Sequence, residues 1–138
     1  MVSVDSSMVP KIGVNVMINR LVKSVPDYNP PSLFRVGVTT DNCVWTDTEL
    51  NDSVEIIGGL FTKQLESTVI SESNGEVVFN AWLSVTEGNG NLLTGIAVVN
   101  DDSSEKLIVK AKHPSRSKTN TELFKYSLKV SIKDEGDI

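Results

Sequence analysis

The sequence predicts a mainly β fold: an antiparallel β-sandwich, or a barrel-like relative, preceded by a short helix and an extended N-terminal arm. Three observations predict it. From Ser32 onward, apolar residues recur with a period of two rather than 3.6. Short turn-forming clusters punctuate these runs. The run closest to the C-terminus, "ELFKYSLKVSI", alternates almost without fault, with Phe124, Tyr126, Leu128, Val130 and Ile132 on one side and Lys125, Ser127, Lys129 and Ser131 on the other. Strands that each hide a single face must be paired with a second sheet that covers it.

Taken in order, the first nine residues are small and polar and read as a loose or partner-held arm. In "PKIGVNVMINRLVKS", Val14, Met17, Ile18, Leu21 and Val25 fall on one helical stripe, and Pro10 suits a helix start. This places a short helix over about 15–24. "VPDYNPPS" then ends regular structure, because prolines remove donors and push their predecessors toward extended geometry. The division expected is an arm and helix over 1–31 and a β-sandwich domain over 32–138. Within the latter, "LFRVGVT" sets Phe34, Val36 and Val38 on one face, and "SVEII" is a short strand ended by Gly58 and Gly59. "STVISE" leads through the turn signal "SNG" into the long "EVVFNAWLSVTE", where Val77, Phe79, Ala81, Leu83 and Val85 share a face. "LLTGIAVVN" is apolar on both faces and reads as a central strand. "KLIVKAK" follows "DDSSE", and a polar basic connection, "HPSRSKTNT", leads to the final strand.

A chain of 138 residues suits one domain. Burial of the Phe124–Ile132 face is worth at most about 1.5–3 kcal/mol per large side chain. No run approaches the roughly 18 apolar residues that span a bilayer, so no membrane association is expected. The N-terminus is a poor signal peptide, and the single Cys43 excludes an intrachain disulfide, which fits synthesis in a reducing cytoplasm. The net charge of -5 argues against general nucleic-acid binding. Its distribution says more. From Lys106 to Lys133 there are eight Lys/Arg and one acid, Glu122, for +7, while the remainder carries -12. Such a division lets copies of one chain meet acidic face on basic face.

Few residues carry chemistry. Acids surround Cys43 in "TDNCVWTDTE", which discourages thiolate, so it reads as a small structural residue. His113, the only histidine, reads as a solvent-exposed loop residue, or as a pH-sensitive contact in an assembly. One His and one Cys do not make a zinc site. The acids of "NDDSSE" and "TDTE" lack the spacing of a calcium loop and read as turn residues. "GNGN" lacks phosphate-loop spacing. No catalytic residue, cofactor or metal is expected. Lys110, Lys112, His113, Arg116 and Lys118 form the most basic surface, but no aromatic lies between Lys106 and Leu123 to stack on bases. They are therefore expected to meet a protein neighbour. Trp82 lies opposite the Phe79 and Leu83 stripe, as core of a two-sided strand or as an interface anchor.

Four segments in order, "MINRLVKSVPDYNPPSLFRVGVTT", "TDTEL", "NGEVVFNAWLSVTEGNGNLLTGIAVVNDD" and "KLIVKAKHPSRSKTNTELFKYSLKVSI", cover most of the chain. Their order and spacing resemble a group of small phage virion proteins related to tail-fibre N-terminal attachment domains and baseplate-associated proteins. The family's acid before the glycine is Thr94 here, and the aromatic after it is Ala97. The resemblance implies a virion structural protein, made in the host cytoplasm, that packs as a homo-oligomer (a ring or trimer). It would join parts of a tail, baseplate, neck or fibre, without catalysis. The alternative reading is a carbohydrate-binding β-sandwich module using Tyr28, Trp45 and Trp82 as sugar platforms.

Overall fold

A computed structural model of the chain describes residues 6–131. It is mainly β, with two antiparallel sheets and one short helix, as the alternation predicts. In chain order the elements are β1 (Ser6–Met8), α1 (Lys11–Val22), β2 (Pro31–Val38), β3 (Asp52–Ser53), β4 (Lys63–Gln64), β5 (Ser67–Ser71), β6 (Glu76–Leu83), β7 (Leu92–Asn100), β8 (Leu107–Ser117) and β9 (Phe124–Ser131). The large sheet runs β1-β8-β7-β2-β3, with β4 also paired to β2. The small sheet runs β5-β6-β9. The "SNG" signal forms the tight turn between β5 and β6, where Gly75 holds a φ of 63° that a side chain would oppose.

The core between the sheets follows the period of two. Phe34 and Val36 from β2, Ile96 and Val98 from β7, and Val109 and Ala111 from β8 face Phe79, Ala81 and Leu83 from β6 and Phe124, Tyr126, Leu128 and Val130 from β9. The two-faced apolar pattern of β7 has a second cause. On the far side of the large sheet, Ala97, Val99 and Leu107 are buried under Leu50 from the β2–β3 loop, with Ile12 and Leu33 beside them. That sheet is therefore covered on both faces along β7, its central strand.

Several expectations need correction. The N-terminal segment is not a loose arm where it is described: Ser6, Ser7 and Met8 pair with Lys112, Ala111 and Lys110. Residues 1–5 lie outside the described residues. The helix runs Lys11–Val22 rather than 15–24, with Pro10 just before it. Its buried face is Gly13 and Val16, not the predicted stripe, because Gly13 presses against the backbone carbonyl of Ile108, where no Cβ fits. Ile18 and Leu21 are left exposed. Strand β6 ends at Leu83, so Val85 is exposed: the Glu87 carboxylate caps the Ser84 amide and folds 84–87 into a turn. Of "SVEII", only Ser53 is in a strand, as the second residue of β3 (Asp52–Ser53). Ile57 and Leu60 instead bridge across the left-handed Gly58 and Gly59. Ile132, predicted on the β9 stripe, lies outside the described residues.

The basic connection is corrected most. It is mostly strand, since β8 continues through Ser117. A register shift in the β7–β8 pairing, between Leu93 and Gly95, absorbs Pro114, which has no N–H to give to a regular ladder.

Candidate functional site

The six residues singled out from sequence do not form one surface. On β8, Lys110 and Lys112 point away from the inter-sheet core, and Ala111 and His113 point into it. Lys110 is buried under the β2–β3 loop, with its Nζ 3.4 Å from the Asp47 carboxylate. The Cys43 thiol donates to the Lys110 carbonyl at 3.4 Å, which ties the same loop to the strand. Lys112 is half-buried in the centre of the β8 pairing with β1 and β7.

His113 is not a loop histidine but a core residue, only 1% exposed. Its Nε2 lies 3.1 Å from the Tyr126 hydroxyl and its Nδ1 2.8 Å from the Pro114 carbonyl. A carbonyl only accepts, so Nδ1 carries the proton toward Pro114 and Nε2 accepts from Tyr126: the neutral imidazole satisfies both bonds. Burial pushes the Tyr126 hydroxyl far above the ordinary phenol value, against a smaller pull from Arg116, so it remains a donor. The fold thus consumes both polar ends of this pair in a structural contact.

Arg116 is exposed and lies over the Phe124 ring at 4.9 Å, with Glu122 at 3.6 Å. Lys118 is fully buried. It donates to the Asn89 side chain at 2.7 Å, and Asn91 and Gly90 bond its backbone. Burial lowers its pKa, with Glu122 and Glu87 pulling the other way. Near it, Glu87 accepts from Lys63 at 2.7 Å and from the Ser84 amide at 2.8 Å. Burial alone would raise the Glu87 carboxyl, but these two donors together hold it below the ordinary value. Lys63 belongs to the large sheet and Glu87 to the turn after β6, so this pair joins the two sheets. Trp82 is half-buried on the outer face of the small sheet, and the Lys125 ammonium sits 4.3 Å above its ring. Of the six residues, Lys112, Arg116 and Trp82 remain reachable from outside.

A different feature, which the period of two did not mark, is an apolar groove of about 680 Å³ at one end of the sandwich. Val16, Met17 and Arg20 of α1, Pro31 of β2 and Ile108 of β8 form one side, and Ile70, Val77, Phe79 and Val130 of the small sheet form the other. It exists because a three-stranded sheet is too narrow to cover the large one. The strand at that edge, β5, is exposed on both faces: Val69 is 53% and Ile70 71% exposed. The only sequence signal for it was the uncharged run "STVIS".

Among the described residues, no group of three or more His, Cys, Asp or Glu is placed to hold a metal ion, and no helix is long and apolar enough to cross a membrane. Compared with known proteins, the chain matches no family model, no curated sequence and no solved structure.

Proposed function

We propose that the chain is a structural subunit of a bacteriophage virion, an attachment or assembly piece of the tail, baseplate, neck or fibre that acts through protein–protein interfaces. One observation carries this reading: large apolar side chains crowd the outside of α1 and the groove beside it. On α1, Ile18, Leu21 and Val22 are 52%, 83% and 71% exposed, Val25 just after it is 78% exposed, and Ile70 lines the groove's opposite wall. Scattered apolar residues are ordinary on a protein surface, but a concentration of this kind marks a contact surface. The segment order that resembles small virion proteins and the division into acidic and basic parts support the same reading. A homo-oligomeric state and contacts with other virion proteins belong to it.

The carbohydrate-binding alternative has less support. Trp45 lies in the loop that covers the outer face of the large sheet, while Trp82 lies on the outer face of the small sheet under Lys125. Tyr28 packs against the core. The three rings do not make one platform. The test is to purify the phage particle, detect the chain by mass spectrometry and locate it by cryo-electron microscopy. Absence from mature particles overturns the virion reading. Specific retention on a glycan array favours the alternative.

A further inference from the structure

We propose that β5 is a self-association edge, on which a second copy of this chain adds its own β5 antiparallel, with Ile70 opposite the partner subunit's Ile70. This deepens the assembly reading by naming one partner and one surface.

The two edges of the small sheet are built differently. On β9, Lys125 and Lys129 are exposed, and charged side chains of this kind discourage an added strand. On β5, Ser67 to Ser71 carries no charge and no proline, and Thr, Val and Ile favour extended pairing. One side of β5 is bonded to β6, and its other side faces no strand among the described residues. Face assignment follows from register. Thr68 is opposite Phe79 and Ile70 opposite Val77, so Thr68 and Ile70 belong to the inner face. An inner-face isoleucine of a sandwich is normally covered. Here it is 71% exposed at the mouth of the apolar groove. An added strand would place alternate side chains over that groove, as in strand-addition complexes.

Charge selects the occupant and the register. With the inner faces matched, an alignment centred on Val69 would set Glu66 against the partner's Glu72, two like charges. Centring on Ile70 sets Glu72 against the partner's Thr68 and Glu66 against the partner's Asn74, with no like-charge pair. Arg20 and Glu72 line the same groove, and neither makes an ion pair among the described residues. In this register the partner's Glu72 falls opposite Thr68, which lines the groove with Arg20, so a second copy would bring a carboxylate to the groove that holds Arg20, twice over under the two-fold. A partner strand without an acid at that position would add no opposite charge beside Arg20, which is exposed and donates to the Tyr28 carbonyl.

The test is the mass of the full chain by sedimentation or light scattering. The expected mass is twice 15.0 kDa. Ile70→Lys is expected to abolish the dimer while circular dichroism and the melting transition show the same fold. Lys129→Glu on the β9 edge is expected to keep it. Ile70→Cys is expected to form a disulfide-linked dimer under mild oxidation, whereas the wild-type chain, whose Cys43 is buried, does not. A monomeric wild type, or an oligomer that survives Ile70→Lys, overturns the inference. Cross-linking at Val69→Cys in place of Ile70→Cys overturns the register. Detection of the chain in virions without dimerisation would sink this inference alone, and a dimer absent from virions would sink the virion reading alone.

Discussion

The two sheets are finished to different degrees. The large sheet is buried on both faces along its central strand: by the small sheet inside, and by Leu50 of the β2–β3 loop outside. The small sheet is buried on one face only, and its β5 edge is exposed on both. Both obey the same alternation, so the contrast comes from what covers them. A sheet whose faces are all covered has its contacts satisfied within the chain. A narrow sheet over a wider one leaves an apolar groove and an open edge, where a partner gains the most.

Four substitutions probe that contrast, from the largest expected effect to the smallest. Phe34→Ala removes a fully buried ring of the large sheet from the shared core and should cost about 3–5 kcal/mol in chemical denaturation. A loss below 1 kcal/mol would mean that the sheets are not packed as described. Leu50→Ala strips the outer cover from Ala97, Val99 and Leu107 and should cost about 2–3 kcal/mol, at the low end for Leu→Ala because a loop can partly collapse. A neutral result would make the large sheet one-sided, like the small one. Tyr126→Phe deletes the bond to His113 and should cost about 1 kcal/mol at neutral pH. It should also change the alkaline limb. The folded-state pKa of Tyr126 is raised, so the unfolded chain loses its proton first and stability falls as pH rises above about 10. The Phe variant should lose that part of the pH dependence, and an unchanged slope would refute the assignment. Lys129→Ala breaks an exposed 3.7 Å pair with Glu76 on the uncovered face and should change stability by less than about 1 kcal/mol. A larger loss would show that this face is more tightly packed than its exposure indicates.

Much of the fold was legible because strand periodicity is local. Phe124, Tyr126, Leu128 and Val130 face inward as their alternation requires, and the two-faced composition of "LLTGIAVVN" marked the central strand. The helix was legible only in kind. Its apolar stripe pointed to Leu21, but the buried face is set by Gly13, where absence of a side chain lets α1 approach β8. Hydrophobic spacing does not register a close backbone contact. The basic segment was least legible. Lys110, His113 and Lys118 are polar residues in a sequence context that suggests solvent, yet each is buried by a distant partner: Asp47, Tyr126 and Asn89.

By itself, then, the sequence determined that this chain forms alternating strands around a two-layer apolar core, because inward and outward positions are written residue by residue with a period of two. Only the tertiary structure decided how many strands each sheet received, which cations were sealed inside and which edge stayed open. Those outcomes depend on contacts between residues tens of positions apart, and no local pattern records them.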